Sequence, residues 1–409
     1  MKKKRVVVAG FMTTCPIAGV VWQHLHYILG LKALGYDPIY IEDTARLPYD
    51  PHTFEMGETA VRNVVGITRR LADRFGFRWC YRARFMEPMK VFGDLTERQI
   101  SQTFANAAAT LNICGAQELH DDVLKSPCLA YVESDPGVEQ IKLDKKTQDT
   151  IDYLRQHHAH FTFGENIGQS DCPLPAGGFK WHATRQPVAL ELWKQHQPII
   201  DKRRATSLIV PKGAKTAPIR LTTIANWETK GKDVVWKNKI YYWSKTFEFL
   251  KFTDLPTCLK NGNFICEMAT DMSRDPASRE LYERQGWRLA SPHELSRNYD
   301  AYIKYIQNSD AEWTVAKDQY IRLKTGWFSD RSACYLAAGR PVITQDTLFG
   351  KFIPTGEGLF AFRNMSDIQS AAETIAADYE KHSRKAIEIA REYFSAEKVV
   401  GHMLKTLAI

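Results

Sequence analysis

Basic, aromatic and hydroxyl residues crowd into one run of the C-terminal half: Ala316-Lys317, then Tyr320, Arg322 and Lys324, then Thr325-Gly326-Trp327-Phe328-Ser329-Asp330-Arg331-Ser332. A helix starting near Asp330 would turn its free amides and positive end to the place where Lys317, Arg322 or Arg331 add full charges. That combination suits a diphosphate, both when bound and as its charge grows during departure. Trp327 and Phe328 offer flat apolar area for a base or sugar ring, although aromatics at such positions also build cores.

The N-terminal half supplies carboxylates rather than cations. Glu42-Asp43-Thr44 and Glu133-Ser134-Asp135-Pro136-Gly137 each follow an apolar run. A carboxylate there can take the proton of an attacking hydroxyl, which makes Asp135 the first candidate for general base, with Asp43 and His24 behind it. Acidic residues also cap helices and open turns at these places, so a purely structural role stands beside the catalytic one. The segment Gly10-Phe-Met-Thr-Thr-Cys-Pro-Ile-Ala-Gly19 holds Thr14, Pro16 and Gly19 just ahead of Trp22, and Gly164-Glu165-Asn166 opens a Gly/Pro-punctuated loop running to Gly178. These are the acceptor-side candidates. The first segment is neither Gly-x-Gly-x-x-Gly nor a Walker loop, which argues against a dinucleotide or P-loop site.

Elements that would carry these residues are legible in the apolar pattern. Arg5 to Gly10 reads as a strand, Val20 to Leu34 as a helix closed by Gly35, and Pro38 to Glu42 as a second strand, giving a βαβ unit. Apolar runs at Thr110–Cys114, Cys128–Glu133 and His160–Phe163 alternate with helical stretches such as Lys146–His157. The pattern pauses in a polar, basic stretch at Asp201–Lys215 and restarts with a strand at Ile219–Trp227. A hairpin around Lys237-Asn238 follows, then strands near Phe264, Glu312–Ala316, Pro341–Thr344 and Leu359–Phe362. From Asp367 to Leu407 the chain reads as helix, with Ser395 as an internal N-cap candidate. In parallel α/β sheets ligands sit beyond the C-terminal strand ends, where most of the candidates fall.

Bulk composition bounds the rest. At 409 residues, 44% hydrophobic and 25% charged, the chain is long enough for two domains and gives no reason to invoke extended disorder. Its eight cysteines are scattered without Cys-x-x-Cys pairs and read as free thiols of a reducing compartment. The basic start breaks at Gly10 and no run reaches the roughly 18 apolar residues of a membrane span, so a cytoplasmic location is expected. A net charge of +8 favours an anionic ligand without choosing among nucleotides, membrane surfaces and nucleic acid.

The motifs resemble a family of bacterial and phage GT-B-like glycosyltransferases. The resemblance is carried by Ala316-Lys317, the run Thr325 to Ser332, Tyr335-Leu336-Ala337-Ala338-Gly339-Arg340-Pro341-Val342, Gln345-Asp346-Thr347 and Pro354-Thr355-Gly356-Glu357-Gly358-Leu359. Pro16, Gly19, Trp22, Gly30-Leu31, Leu34-Gly35 and Tyr40 to Asp43 extend it into the N-terminal half. It implies two Rossmann-like doubly wound α/β domains facing a cleft, with a C-terminal helical segment packing back. The acceptor domain would span 1–205 and the donor domain 216–409. The donor would be a nucleotide sugar, UDP-linked by preference, used without a metal and held by Lys317, Arg322, Thr325, Gly326, Trp327, Ser329, Asp330, Arg331, Ser332, Asp346, Gly356, Glu357 and Gly358. One departure matters: the paired glutamates of many such enzymes fall on Gly326 and Cys334, so Asp330, Asp346 or Glu357 must be considered for the ribose.

Three functions compete. The acceptor is a small molecule or glycan, or it is a hydroxymethylated base in double-stranded DNA, or the chain binds a nucleotide or sugar without catalysis. DNA would require a basic rim, for which Arg69, Arg70, Arg74, Arg78, Arg82 and Arg84, with Lys202, Arg203, Arg204, Lys212 and Lys215, are the candidates.

Overall fold

The computed structural model describes residues 3–194, 218–259 and 263–409. The expected boundary within 201–215, with Lys202, Arg203, Arg204, Lys212 and Lys215, lies outside the described residues. Two compact units emerge: unit 1 is Met1–Ala189 with Phe394–Ile409, and unit 2 is Leu190–Tyr393.

Strands of unit 1 are β1 Arg5–Ala9, β2 Asp37–Glu42, β3 Arg78–Ala83, β4 Lys90–Gly93, β5 Ala109–Ile113, β6 Leu129–Glu133, β7 Ala159–Thr162 and β8 Trp181–Ala183. They form one sheet in the order β4-β3-β2-β1-β5-β6-β7-β8. Neighbours are parallel save β3 and β4, which pair antiparallel at the edge. Central β1 is covered on both faces, so Val6, Val7 and Val8 are all fully buried and the strand reads as an unbroken apolar run. Val7, Ala9, Ile39 and Ile41 pack with Ile100 and Phe104 on one side of the sheet.

Unit 2 contributes β9 Ile219–Ile224, β10 Val234–Trp236, β11 Lys239–Tyr241, β12 Phe264–Ala269, β13 Arg288–Ala290, β14 Ala311–Thr314, β15 Val342–Gln345 and β16 Leu359–Phe362. Six of these make a wholly parallel sheet ordered β13-β12-β9-β14-β15-β16. Setting aside the β10–β11 hairpin, that is the Rossmann order, first strand central and winding reversed beside it; unit 1 repeats it around β1. The expected pair of Rossmann-like sheets is therefore present. Lys237 and Asn238 turn the hairpin with φ of 47° and 57°, the left-handed pair that matches strand twist. Unit 2 is cored by aromatics: Trp313, Phe249, Trp287 and Phe362 bury together with Leu221 and Ile343.

Helix Ala18–Ala33 crosses from β1 to β2 and ends in a Schellman closure, Tyr36 N–H to Leu31 O at 2.9 Å and Gly35 N–H to Lys32 O at 3.0 Å. After β16 come helices Met365–Ala377 and Tyr379–Ile389, a π turn Ala390–Phe394 and helix Ala396–Thr406. This last helix packs against Ala18–Ala33, the return expected of the C-terminal segment. Gly30 permits the approach, because a Cβ there would stand 3.0 Å from Ala396 Cβ and O. Ser395 sits at the N-cap, but its hydroxyl bonds Glu397 Oε2 at 2.7 Å instead of an amide. No helix among the described residues is long and apolar enough to cross a membrane.

Candidate functional site

Each sheet gathers its post-strand loops at one end, and in each the winding reverses beside the central strand, between β1 and β5 in unit 1 and between β9 and β14 in unit 2.

In unit 1 the crevice is lined by its own polar groups. Glu42, at the end of β2, accepts the amides of Thr13 (2.7 Å) and Thr14 (2.9 Å) and the Tyr40 hydroxyl, whose oxygen in turn receives Met12 N–H at 2.7 Å. Burial raises the Glu42 pKa against the pull of those hydrogen bonds. Gln117, beyond β5, ties both sides together: its Nε2 reaches Gly10 O at 2.8 Å and its Oε1 accepts Asp43 N–H at 2.9 Å. His24 takes Phe11 N–H on Nε2 (3.3 Å) and engages Val20 O through Nδ1 (2.7 Å); burial, partly offset by that carbonyl, lowers its pKa to about 4. Gly10 is dictated by this ring, because a Cβ would lie 2.1 Å from it. Thr14 is buried with its hydroxyl on Phe11 O, Pro16 is buried, and Gly19 is exposed at the helix start. Trp22 lies inside the core between His26 and Phe75, each ring 5.9 Å away, so it offers a ligand no open face.

Asp43 is fully buried, held by Arg82 Nη1 (3.0 Å) and Arg84 Nε (2.5 Å), and Arg82 reaches on to Glu97 (2.6 Å) and Asp122 (2.7 Å). This corrects the expectation of one basic rim. Arg82 and Arg84 are consumed in this ion cluster, while Arg78 pairs with Asp37 at the other end of the sheet. Arg69, Arg70 and Arg74 lie on the exposed face of helix Val61–Phe75.

Asp135 is half-buried in the loop after β6. That loop is set by Glu133, whose carboxylate accepts Gln140 Nε2 (3.0 Å) and the Thr162 hydroxyl (2.5 Å), while Gln140 Oε1 receives Gly137 N–H (2.7 Å). Burial pushes the Glu133 pKa up to about 8 despite these bonds. Cys114 Sγ stands 3.0 Å from Ser134 Oγ next door. Glu165 is paired with Arg185 at 2.6 and 2.7 Å, and buried Asn166 donates to Asp171 at 3.1 Å.

Cations ring the corresponding place in unit 2. Lys317, beyond β14 and at the N-cap of helix Asp318–Arg322, holds its Nζ 3.3 Å from the centre of the Trp243 ring, with Lys232 at 4.9 Å from the same ring. Lys245 lies 5.7 Å from the Trp327 ring, which packs on Tyr320 at 4.5 Å. The hairpin side of the site is fastened to helix Asp318–Arg322: Tyr242 N–H donates to Asp318 Oδ2 (3.0 Å), Gln319 Nε2 to Tyr241 O (3.2 Å) and Arg322 Nη1 to Ile240 O (2.7 Å). Gly326 N–H meets Thr347 O at 2.8 Å, the Thr347 hydroxyl meets Trp327 O at 2.6 Å, and Trp327 N–H reaches Thr325 Oγ1 at 3.3 Å. Thr325, Gly326 and Trp327 thus join the loop of Asp346 and Thr347 beyond β15. Sequence reasoning missed Trp243, Lys232 and Lys245, whose only signal was a basic-aromatic alternation on either side of the hairpin.

Ser329 is the N-cap of helix Asp330–Ala337, Asp330 is half-buried at its start and Ser332 is fully buried. Arg331 points into the sheet, bonding Glu312 (2.5 Å), Thr314 Oγ1 (2.7 Å) and Ile224 O, and so staples the ends of β9 and β14. Asp346 accepts Leu348 N–H (2.7 Å) and pairs with Arg363 (2.7 Å). Gly356, Glu357 and Gly358 are not brought to this end. They precede β16, with Gly358 O bonded to Val342 N–H at the start of β15 and Glu357 paired to Lys381 at 2.6 Å.

No family model and no curated protein matches the chain. Solved structures do. An alpha-glucosyltransferase in complex with UDP aligns at TM-score 0.55 and 10% identity over 99% of this chain and 100% of its own. An alpha-glucosyltransferase with UDP and a 13-mer DNA aligns at 0.52 and 9% over 100% of both chains, and an E. coli trehalose-6-phosphate protein bound to UDP-2-fluoro glucose at 0.50 and 9% over 99% of both. At identities this low the likeness shows the fold alone, GT-B with two Rossmann-like units.

Proposed function

We propose that the chain transfers a sugar from a nucleotide-sugar donor, UDP-linked, to an acceptor hydroxyl, with unit 2 holding the donor and unit 1 the acceptor. The observation that carries this reading is the lysine-and-indole cluster of Lys317, Trp243, Lys232 and Lys245 beyond the β9–β14 switch. A diphosphate needs positive charge that stays in place as its own charge grows, and ammonium groups held over ring faces provide it without a metal. Lys317 and Lys245 would meet the phosphates, the Thr325–Gly326 backbone and Asp330 or Asp346 the sugar and ribose hydroxyls. Arg322 and Arg331 act through the groups they fasten, the hairpin and the strand ends, and are positioning residues. Asp135 is the proposed base, set in place by the Glu133–Gln140–Gly137 network.

A screen of sugar nucleotides by thermal shift tests the donor half. A true donor at 100 times its dissociation constant adds about 2.7 kcal/mol to the stability of the unit it binds. Absence of any shift by UDP and its sugars would sink the proposal, and binding without transfer or donor hydrolysis would leave the non-catalytic alternative.

A further inference from the structure

A recess of about 490 Å³ opens on unit 1 between His52 and helix Val61–Phe75, lined by His52, Arg62, Asn63, Gly66, Ile67 and Arg70. Arg62, Gly66 and Arg70 follow at spacings of four, so they share one helix face, the two arginines about 12 Å apart along the axis. Neither arginine has an ion-pair partner among the described residues, whereas their neighbours Arg82 and Arg84 are both paired. Gly66 leaves the floor open: a Cβ there would already stand 3.5 Å from Arg70 Nη1. Asp50, which adjoins the lining, is buried and occupied by His52 N–H (2.8 Å) and Asn63 Nδ2 (2.5 Å). The recess also belongs to the crevice end of unit 1. Thr68 Oγ1 bonds Thr13 Oγ1 at 3.1 Å, and Tyr49 N–H bonds Thr14 O at 2.8 Å, tying its walls to the loop after β1.

We infer that this recess is a phosphate subsite and that it takes a phosphate group carried by the acceptor. Guanidinium forks match phosphate oxygens in pairs, and two of them on one helix face with a glycine between leave room for a tetrahedral anion. Glu42 already takes the Thr13 and Thr14 amides of the β1 loop, so those two are not open to a phosphate. The acceptor clause rests on unit 1 being the acceptor side; the phosphate clause does not.

Hydrogen exchange of the full chain with inorganic pyrophosphate separates the two clauses. The expected result is protection of residues 50–75 that saturating UDP leaves intact. Gly66→Leu, which plugs the recess while improving helix propensity, and the Arg62→Ala/Arg70→Ala double variant should each weaken that protection at least tenfold in pyrophosphate concentration with the melting temperature kept. Protection that both variants leave unchanged, or none at millimolar pyrophosphate, overturns the subsite, whatever UDP does in unit 2. A hexose 6-phosphate and a short DNA duplex are the two source arms: protection by either identifies the kind of acceptor, and protection by pyrophosphate alone overturns the acceptor clause.

Discussion

In unit 1 the crevice beside the central strand is filled by the protein's own groups, Glu42 on the amides of Thr13 and Thr14 and Gln117 across to Gly10, whereas in unit 2 the same place is ringed by Lys317, Lys232 and Lys245 over indole rings. Strand order is shared; charge is not. In many doubly wound sheets a ligand phosphate takes the loop amides after the first strand. Here an internal carboxylate accepts the Thr13 and Thr14 amides in unit 1, so those two amides are not open to a ligand phosphate. The difference teaches that strand order sets where a site lies, and the side chains of two or three loops set what it can hold.

The sharpest test of this division is Asp135→Asn. An amide keeps the size and removes the basicity, so transfer should fall about 100- to 10,000-fold with donor affinity unchanged. Equal loss of donor binding, seen by titrating UDP, would break the comparison. Next comes Arg82→Met, which strands Asp43, Glu97 and Asp122 around a lost cation; unit 1 should lose about 3 kcal/mol, read by exchange of its own amides, while those of unit 2 stay protected. Lys317→Ala should lower turnover about a hundredfold and weaken UDP binding with a near-normal melting curve, because Lys317 is half-exposed and its proposed role is to meet the donor's phosphates.

The smallest effect is a pH dependence peculiar to unit 1. Burial, which outweighs their backbone hydrogen bonds, lowers the pKa of His24 and His157 to about 4 and of His26 to about 3. The unfolded chain therefore binds more protons below pH 6.5, and stability falls as pH drops from there towards 4, by up to about 1.4 kcal/mol per pH unit for each histidine. Glu133 runs the other way. Its raised pKa of about 8 makes its contribution full below the ordinary carboxylate value and lost as pH rises through 8. Unit 1 should be most stable near pH 6.5, and amide exchange at pH 5, 6.5 and 8 measures this; a flat profile would show that these groups are not buried as described.

Alternation of strand and helix was legible because strands covered on both faces carry apolar runs, Val6-Val7-Val8 in β1 and Leu129-Ala130-Tyr131-Val132 in β6, although β5 admits Asn112 and β9 admits Arg220, Thr222 and Thr223. The β3–β4 hairpin was not, because Arg82 puts a charge inside a buried strand, and only its three distant carboxylates explain it. The same limit applies to the sites. The run from Lys317 to Ser332 was found by composition, yet nothing local says that Arg331 faces inwards to Glu312, or that Gly356–Gly358 open a strand at the far end of the sheet. Which arginines are consumed and which stand unpaired depends on carboxylates tens of residues away.

The return of helix Ala396–Thr406 to unit 1 has a consequence for the order in which the chain is made. Unit 2 is inserted between Ala189 and Phe394, and the exit and re-entry segments bond to each other, Val188 N–H to Phe394 O at 2.7 Å and Ala396 N–H to Val188 O at 2.9 Å. A ribosome that delivers about 5–20 residues per second leaves unit 1 without its closing helix for roughly 10–40 s while the intervening segment is synthesised. During that interval the face of helix Ala18–Ala33 that Gly30 shapes for Ala396 is uncovered. Unit 2 can finish first, and the nascent N-terminal unit is the one with apolar surface for a chaperone to shield.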